Sequence, residues 1–321
     1  MEMPLISVKN LKKYFNMFQS KEMIRAVDGI SFDIYEGETF GLVGESGCGK
    51  STTGKLILRL LNPTDGEVLL NGDNILKYNR KKFRKLRKDL QIVFQNSSSV
   101  LDPKMFAYDI LVEPLILHKI VPRYELNEEV DRLLDMVGLP KSSKRKLPNE
   151  FSGGQKQRLI IARALATRPK FIICDEPVSS LDVSIQSQIL NLLVKFQNEY
   201  SLTYLFIAHS LNVVRHISNR VGVMYLGKIV EIGSNKEIFK SPTHPYTKAL
   251  ISAFPNLEEK KFNEEKLILK GEVPSPINIP TGCSFHTRCP YSYGKCKKEE
   301  PELMEITKGH YVSCFLIEKN L

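Results

Sequence analysis

The sequence predicts an α/β fold, and three observations carry that prediction. The run TFGLVGESGCGKSTTGKLILRLL (39–61) reads as an apolar strand, a glycine-rich loop and then a helix. Two further apolar strand-like segments, FIICDE (171–176) and TYLFIAH (203–209), flank a helix-length segment at about 183–200. The rest of the first 75 residues reads as short strands and turns, which adds an antiparallel β subdomain.

Taken in order, ISFDIYEGE (30–38) turns Ile30, Phe32 and Ile34 to one face before a Glu-Gly turn. GEVLLNGDNI (66–75) holds Asn71-Gly72, the dipeptide of a tight hairpin. A helical, irregular stretch occupies about 97–165. VGVMYLGKIVEIG (221–233) reads as a hairpin turning at Leu226-Gly227, and Ser234 with Glu237 forms a capping box that opens a helix. After Lys240 prolines gather at 242, 245, 255, 274, 276, 280 and 290, and four of the six cysteines follow. The boundary is therefore drawn near 240, giving a first domain at 1–240 and a small Cys-rich extension at 241–321. There is no internal repeat and no second lysine loop.

No apolar run reaches the roughly 18–20 residues that span a bilayer, and MEMPLISVKN has no secretory h-region. The expected location is cytoplasmic, with any membrane attachment supplied by other proteins. The net charge of +10 is concentrated in RKKFRKLRK (80–88) and KSSKRK (141–146). Such runs can bind phosphate backbones or anionic headgroups. No nucleic-acid-binding module accompanies them, so the favoured reading is a solvated helix face with Phe83, Leu86 and Leu90 turned inward, and no nucleic-acid partner is expected.

GESGCGKS (44–51) fits G-x-x-x-x-G-K-[ST] between a strand and a helix. Gly44, Gly47 and Gly49 let backbone N–H groups approach phosphate oxygens. Lys50 reaches the β- and γ-phosphates, and the Ser51 hydroxyl completes a Mg²⁺ shell. FIICDE ends in Asp175, suited to the same Mg²⁺, and Glu176, placed to polarise an attacking water. His209, closing the next strand, and Gln95, in IVFQ, carry no signal on position alone. FSGGQKQR (151–158) is a second helix start, with Ser152 and Gln155 as capping box and bare N–H groups at the glycines.

Together these motifs resemble, in order across about residues 5–240, an ATP-binding cassette subunit. The lysine loop matches at 44–51, Gln95 matches the Q-loop, FSGGQ the family signature (usually with Leu in its first place), Asp175 and Glu176 the Walker B pair, SSLD (179–182) the D-loop and His209 the switch histidine. The resemblance implies a P-loop NTPase cassette with a helical subdomain at about 97–165. It implies ATP contacts from Gly44, Ser46, Gly47, Cys48, Gly49, Lys50, Ser51 and Thr52, and an adenine-stacking aromatic at Phe15, with Tyr14 the alternative. Mg²⁺ is implied at Ser51, Gln95 and Asp175, and catalysis at Glu176, His209 and Gln95. Ser152, Gly153, Gly154 and Gln155 would read the γ-phosphate bound to the opposite subunit, beside Asp182 of the D-loop. One chain with two phosphate devices and one lysine then implies a dimer with two shared ATP sites. Phe151 keeps the apolar bulk of the usual Leu.

The tail, through SPTHPYTKALISAFP (241–255), GEVPSPINIPTGCSFHTRCP (271–290) and KKEEPEL (297–303), resembles the oligopeptide/dipeptide importer subfamily, and LLNPTDGEVLLNGDNI (60–75) resembles its second ATPase subunit type more than the first. That implies two membrane permeases, an external substrate-binding protein and a second, related ATPase as heterodimer partner, at the cytoplasmic face of the membrane. The cargo is expected to be peptides, with nickel or oligosaccharides as alternatives and a soluble cassette acting on nucleic acid as the remote one. FQNSSSVLDP (94–103) departs from the subfamily, which more often has an acidic residue after the glutamine. Cys283, Cys289, Cys296 and Cys314 are spaced unlike zinc ribbons. The resemblance implies a [4Fe–4S] cluster there, with zinc or unligated thiols as the alternatives.

Overall fold

A computed structural model of the chain describes residues 3–16, 22–95, 100–253 and 271–317. The stretch after Gln95 where the acidic residue is missing (96–99) and the end of the 241–255 motif lie outside them. The fold divides into two units, one of residues 1–34, 39–76 and 207–321, the other of 35–38 and 77–206.

In the first unit β1 (Ile6–Asn16), β2 (Met23–Ile34), β4 (Asp65–Leu70) and β5 (Asp73–Asn74) form an antiparallel sheet in the order β2-β1-β4-β5. Val8 faces Phe32 and Ile6 faces Ile34, so the expected alternation of Ile30, Phe32 and Ile34 is buried. Asn71 and Gly72 both take positive φ, as the tight hairpin turn requires. β3 (Thr39–Val43), buried along its whole length, runs parallel to β9 (Arg220–Tyr225). β9 turns at Leu226-Gly227, both at positive φ, into β10 (Lys228–Ser234), and Ser234 and Glu237 form the capping box of a short helix.

Residues 304–312 join this unit. β12 (His310–Val312) pairs antiparallel with β10 and β11 (Met304–Thr307) with β12, giving the order β11-β12-β10-β9-β3. Glu231, fully buried on β10, anchors the join. It accepts the N–H groups of Thr243 (2.8 Å) and His244 (3.0 Å), and it hydrogen-bonds His310 Nε2 at 2.8 Å. His244 in turn accepts the Tyr246 N–H at 3.0 Å through Nδ1. Burial holds the His244 ring at about 4, below its ordinary 6.5. Below pH 6.5 the unfolded chain therefore takes up a proton that the folded chain refuses, so this group's stability contribution is present above 6.5 and is lost as pH falls toward 4. Thermal melts across that window are expected to show the melting temperature dropping with acidification, less so for His244→Asn. Equal slopes for the two proteins would refute the assignment.

In the second unit β6 (Leu90–Val93) lies parallel to β7 (Phe171–Asp175), and β8 (Thr203–Ala208) is the other neighbour of β7. β7 is buried throughout, which explains its unbroken apolar sequence. Helices follow at Ala107–Leu117, Leu126–Met136, Gly153–Leu165 and Val183–Tyr200. The second of these buries Leu126, Val130, Leu133 and Leu134, a single amphipathic face. The basic run forms a helix at Arg80–Leu86 that buries Phe83 and exposes Lys81, Lys82, Arg84 and Lys85. Leu90, expected on that helix, instead opens β6, because the helix stops at Leu86. Among the described residues no helix is long and apolar enough to cross a membrane.

Candidate active site

The lysine loop leaves β3 and enters the helix Lys50–Ile57. Gly44 and Gly49 sit at φ +154° and +109°, and a Cβ on either would lie 2.1 Å from a carbonyl oxygen, that of Met224 or of Ala26. Only glycine fits this close approach. Lys50 is 4% exposed and its ammonium donates to the carbonyls of Gly44 (2.8 Å) and Glu45 (2.9 Å), closing the loop into a ring. Thr53 Oγ1 donates to the Gly49 carbonyl at 3.0 Å, and the Gly227 N–H donates to the Cys48 carbonyl at 2.9 Å. Burial raises the Cys48 thiol, so it acts as a small apolar wedge under the loop. Ser51 and Thr52 occupy the first helical turn, and Ser46 and Gly47 are exposed.

On β1 the two candidate aromatics differ. The Tyr14 hydroxyl donates a short hydrogen bond to Asp28, and burial together with that carboxylate raises its pKa to about 12. Phe15 keeps 36% of its surface exposed, with Lys13 Nζ 5.0 Å from the ring centroid. His209, also in this unit, is exposed immediately after β8.

The second unit carries the acidic pair. Asp175 ends β7 and is 7% exposed. Glu176 breaks out of the strand at φ 48°, an uncommon conformation for a non-glycine residue. Its carboxylate accepts a 2.7 Å hydrogen bond from Gln95 Nε2, so the structure brings these two sequence-predicted residues together. The Glu176 carbonyl accepts from the N–H (3.3 Å) and hydroxyl (3.1 Å) of Ser179, and Asp182 then N-caps the helix Val183–Tyr200 by position. The Ser152–Gln155 capping box is formed in both directions, at 3.3 and 3.1 Å. A Cβ on Gly154 would meet Ile185 Cγ2 at 2.6 Å, so the helix start and the D-loop helix pack without room for a side chain. Phe151 is buried, as its apolar bulk predicts.

The tail cysteines contain no disulfide. Burial first, then the neighbouring thiols, raises Cys283, Cys289 and Cys314 to about 11. Among the described residues no group of three or more His, Cys, Asp or Glu is arranged to hold a metal ion. The expected iron–sulfur or zinc site at Cys283, Cys289, Cys296 and Cys314 therefore finds no support.

Sequence reasoning passed over three residues around the lysine loop. Arg288 holds the Glu45 carboxylate through two hydrogen bonds (2.7 and 3.1 Å), and the fully buried Tyr246 hydroxyl accepts the Glu45 N–H at 3.0 Å. One signal was available: an acidic side chain in an anion-binding loop needs a cation to neutralise it.

Comparison with known proteins fits this geometry. The ABC transporter family profile matches residues 27–179, and that of the oligopeptide/dipeptide transporter C-terminal region matches residues 230–296. The oligopeptide transport ATP-binding protein AppF of Bacillus subtilis is 49% identical, over 97% of this chain and 97% of its own. The dipeptide transport ATP-binding protein DppF of Haemophilus influenzae is 44% identical, over 98% and 97%. A solved dimeric ATP-binding cassette in a post-hydrolysis state, bound to ADP and Pi, superposes at a TM-score of 0.65 with 31% identity, covering 72% of this chain and 98% of that one. The chain thus belongs to the ABC transporter family, as an ATP-hydrolysing cassette of the oligopeptide/dipeptide transport group.

Proposed function

We propose that the chain powers a binding-protein-dependent importer of oligopeptides or dipeptides from the cytoplasmic face of the membrane. The observation that carries this reading is the near-complete likeness to peptide-transport ATP-binding proteins, extending through the segment beyond residue 240. In this reading two permeases cross the bilayer, an external protein delivers the cargo, and a second, related ATPase completes the cassette pair. The contact surface for the permeases lies in the helical stretch of about 97–165.

Each nucleotide is held by Gly44, Ser46, Gly47, Cys48, Gly49, Lys50, Ser51 and Thr52, with Phe15 against the adenine. Ser51, Gln95 and Asp175 would hold Mg²⁺, which would offset phosphate charge. Glu176 takes the proton of the attacking water, Gln95 orients it, and His209 donates to the γ-phosphate. Ser152, Gly153, Gly154 and Gln155, with Asp182, reach the nucleotide of the opposite subunit. For Phe15→Ala the loss of stacking is expected to weaken MgATP binding by about 1–2 kcal/mol; equilibrium binding of a fluorescent ATP analogue measures it. An unchanged affinity would move the adenine contact elsewhere.

The iron–sulfur or zinc reading of the tail rests on the donor set alone, four cysteines within residues 283–314, and no step passes through it. Iron, zinc and acid-labile sulfide per purified chain decide it. The importer reading itself is tested by gentle detergent copurification from native membranes with mass spectrometry. Two multi-span proteins and a second cassette support it, whereas nucleic acid or ribosomal proteins without a permease overturn it.

A further inference from the structure

Glu45 is a carboxylate in a loop built to hold an anion, and all three of its polar groups are restrained. Its N–H donates to the Tyr246 hydroxyl (3.0 Å), its carbonyl accepts from Lys50 Nζ (2.9 Å), and its side chain is gripped at both oxygens by Arg288 (2.7 and 3.1 Å). Two of those restraints come from the chain beyond residue 240. Tyr246 packs against Tyr225 (4.7 Å between ring centroids) and Phe285 (5.4 Å), and Phe285 meets His244 at 5.7 Å. Arg288 follows Phe285 by one turn, its N–H bonded to the Phe285 carbonyl at 3.0 Å. Its side chain is 7% exposed against 26% for that of Glu45.

We propose that Arg288 is a positioning residue for nucleotide binding: by neutralising Glu45 and turning its carboxylate away, it makes the lysine loop able to accept a polyphosphate. The inference rests on the reading of residues 44–51 as the nucleotide loop. Two physical effects support it. An unpaired carboxylate on this loop would repel the phosphates across a short, partly desolvated distance, where screening by solvent is weak. A planar, two-point guanidinium grip also fixes the side-chain direction, which a single-point lysine contact does not. The tail thereby acts on ATP affinity without contributing a group that touches the nucleotide.

The test is equilibrium binding of MgATP to the purified full chain and to R288M, R288K and the double variant E45Q/R288M, with K50A as control. R288M is expected to bind about tenfold more weakly, R288K about threefold more weakly, and the double variant to recover most of the loss, because the repelling charge is gone. A purely structural role for Arg288 would not give that recovery, since the double variant lacks the same contact. Wild-type affinity in R288M, or a double variant as weak as R288M, overturns the inference. Should R288M fail to fold, R288K and E45Q/R288K carry the same comparison. If wild type does not bind MgATP, or K50A binds as well as wild type, the nucleotide-loop reading itself fails, a result distinct from failure of the Arg288 inference.

Discussion

Glu176→Gln is expected to hold MgATP with near wild-type affinity while hydrolysing it about 10²–10⁴-fold more slowly, the usual worth of a positioned general base. The substitution is nearly isosteric, and its amide oxygen can still accept the 2.7 Å hydrogen bond from Gln95. What it removes is the proton-accepting charge. Asp175 stays with the buried strand, while Glu176 is turned out of it by a φ of 48°, at a backbone cost of about 1–3 kcal/mol. Single-turnover phosphate release alongside equilibrium binding measures both quantities. Hydrolysis near the wild-type rate would remove Glu176 from the chemistry.

The largest expected effect on stability is at His310. Its Nε2 is 2.8 Å from Glu231 Oε1, and both side chains are almost wholly buried. His310→Leu leaves the carboxylate, among the described residues, with the Thr243 and His244 N–H groups, and stranding a buried polar partner of this kind costs about 3 kcal/mol. For a unit of this size that corresponds to a fall of about 6–12 °C in melting temperature. Glu231→Gln in the same background should return part of it, because a neutral amide is cheaper to bury. A His310→Leu protein that melts with the wild type would show that the tail strands are not held through Glu231.

The elements legible in the sequence are those whose signals are local. Asn71-Gly72, Leu226-Gly227, the Ser152 and Ser234 capping boxes and the strand–loop–helix around Lys50 each declare themselves within about eight residues, because turn geometry and helix-end hydrogen bonding are short-range. The Gln95–Glu176 contact, 81 residues apart, was reachable only through the family resemblance. Strands β11 and β12 were not legible: each is three or four residues long, and β11 alternates between half-buried and exposed positions, which a loop also does. Leu90 fell on the wrong element because a three-four spacing of apolar residues continues by chance past the helix end. Cysteine spacing likewise records which donors exist and carries nothing about where their sulfur atoms point.

Because the sheet of the first unit is completed by strands that lie far downstream of β10 in the sequence, its assembly is tied to the schedule of translation. β10 is synthesised roughly 80 residues before its partner β12, a delay of about 4–16 s at ordinary elongation rates. Through that interval a nascent chain carries an open β edge, the kind of surface that recruits other strands. A chain cut short between β10 and β12 would thus keep residues 44–51, 151–158 and 171–176 but lack the closure of its sheet, and such a product is a natural target for chaperone capture and proteolysis.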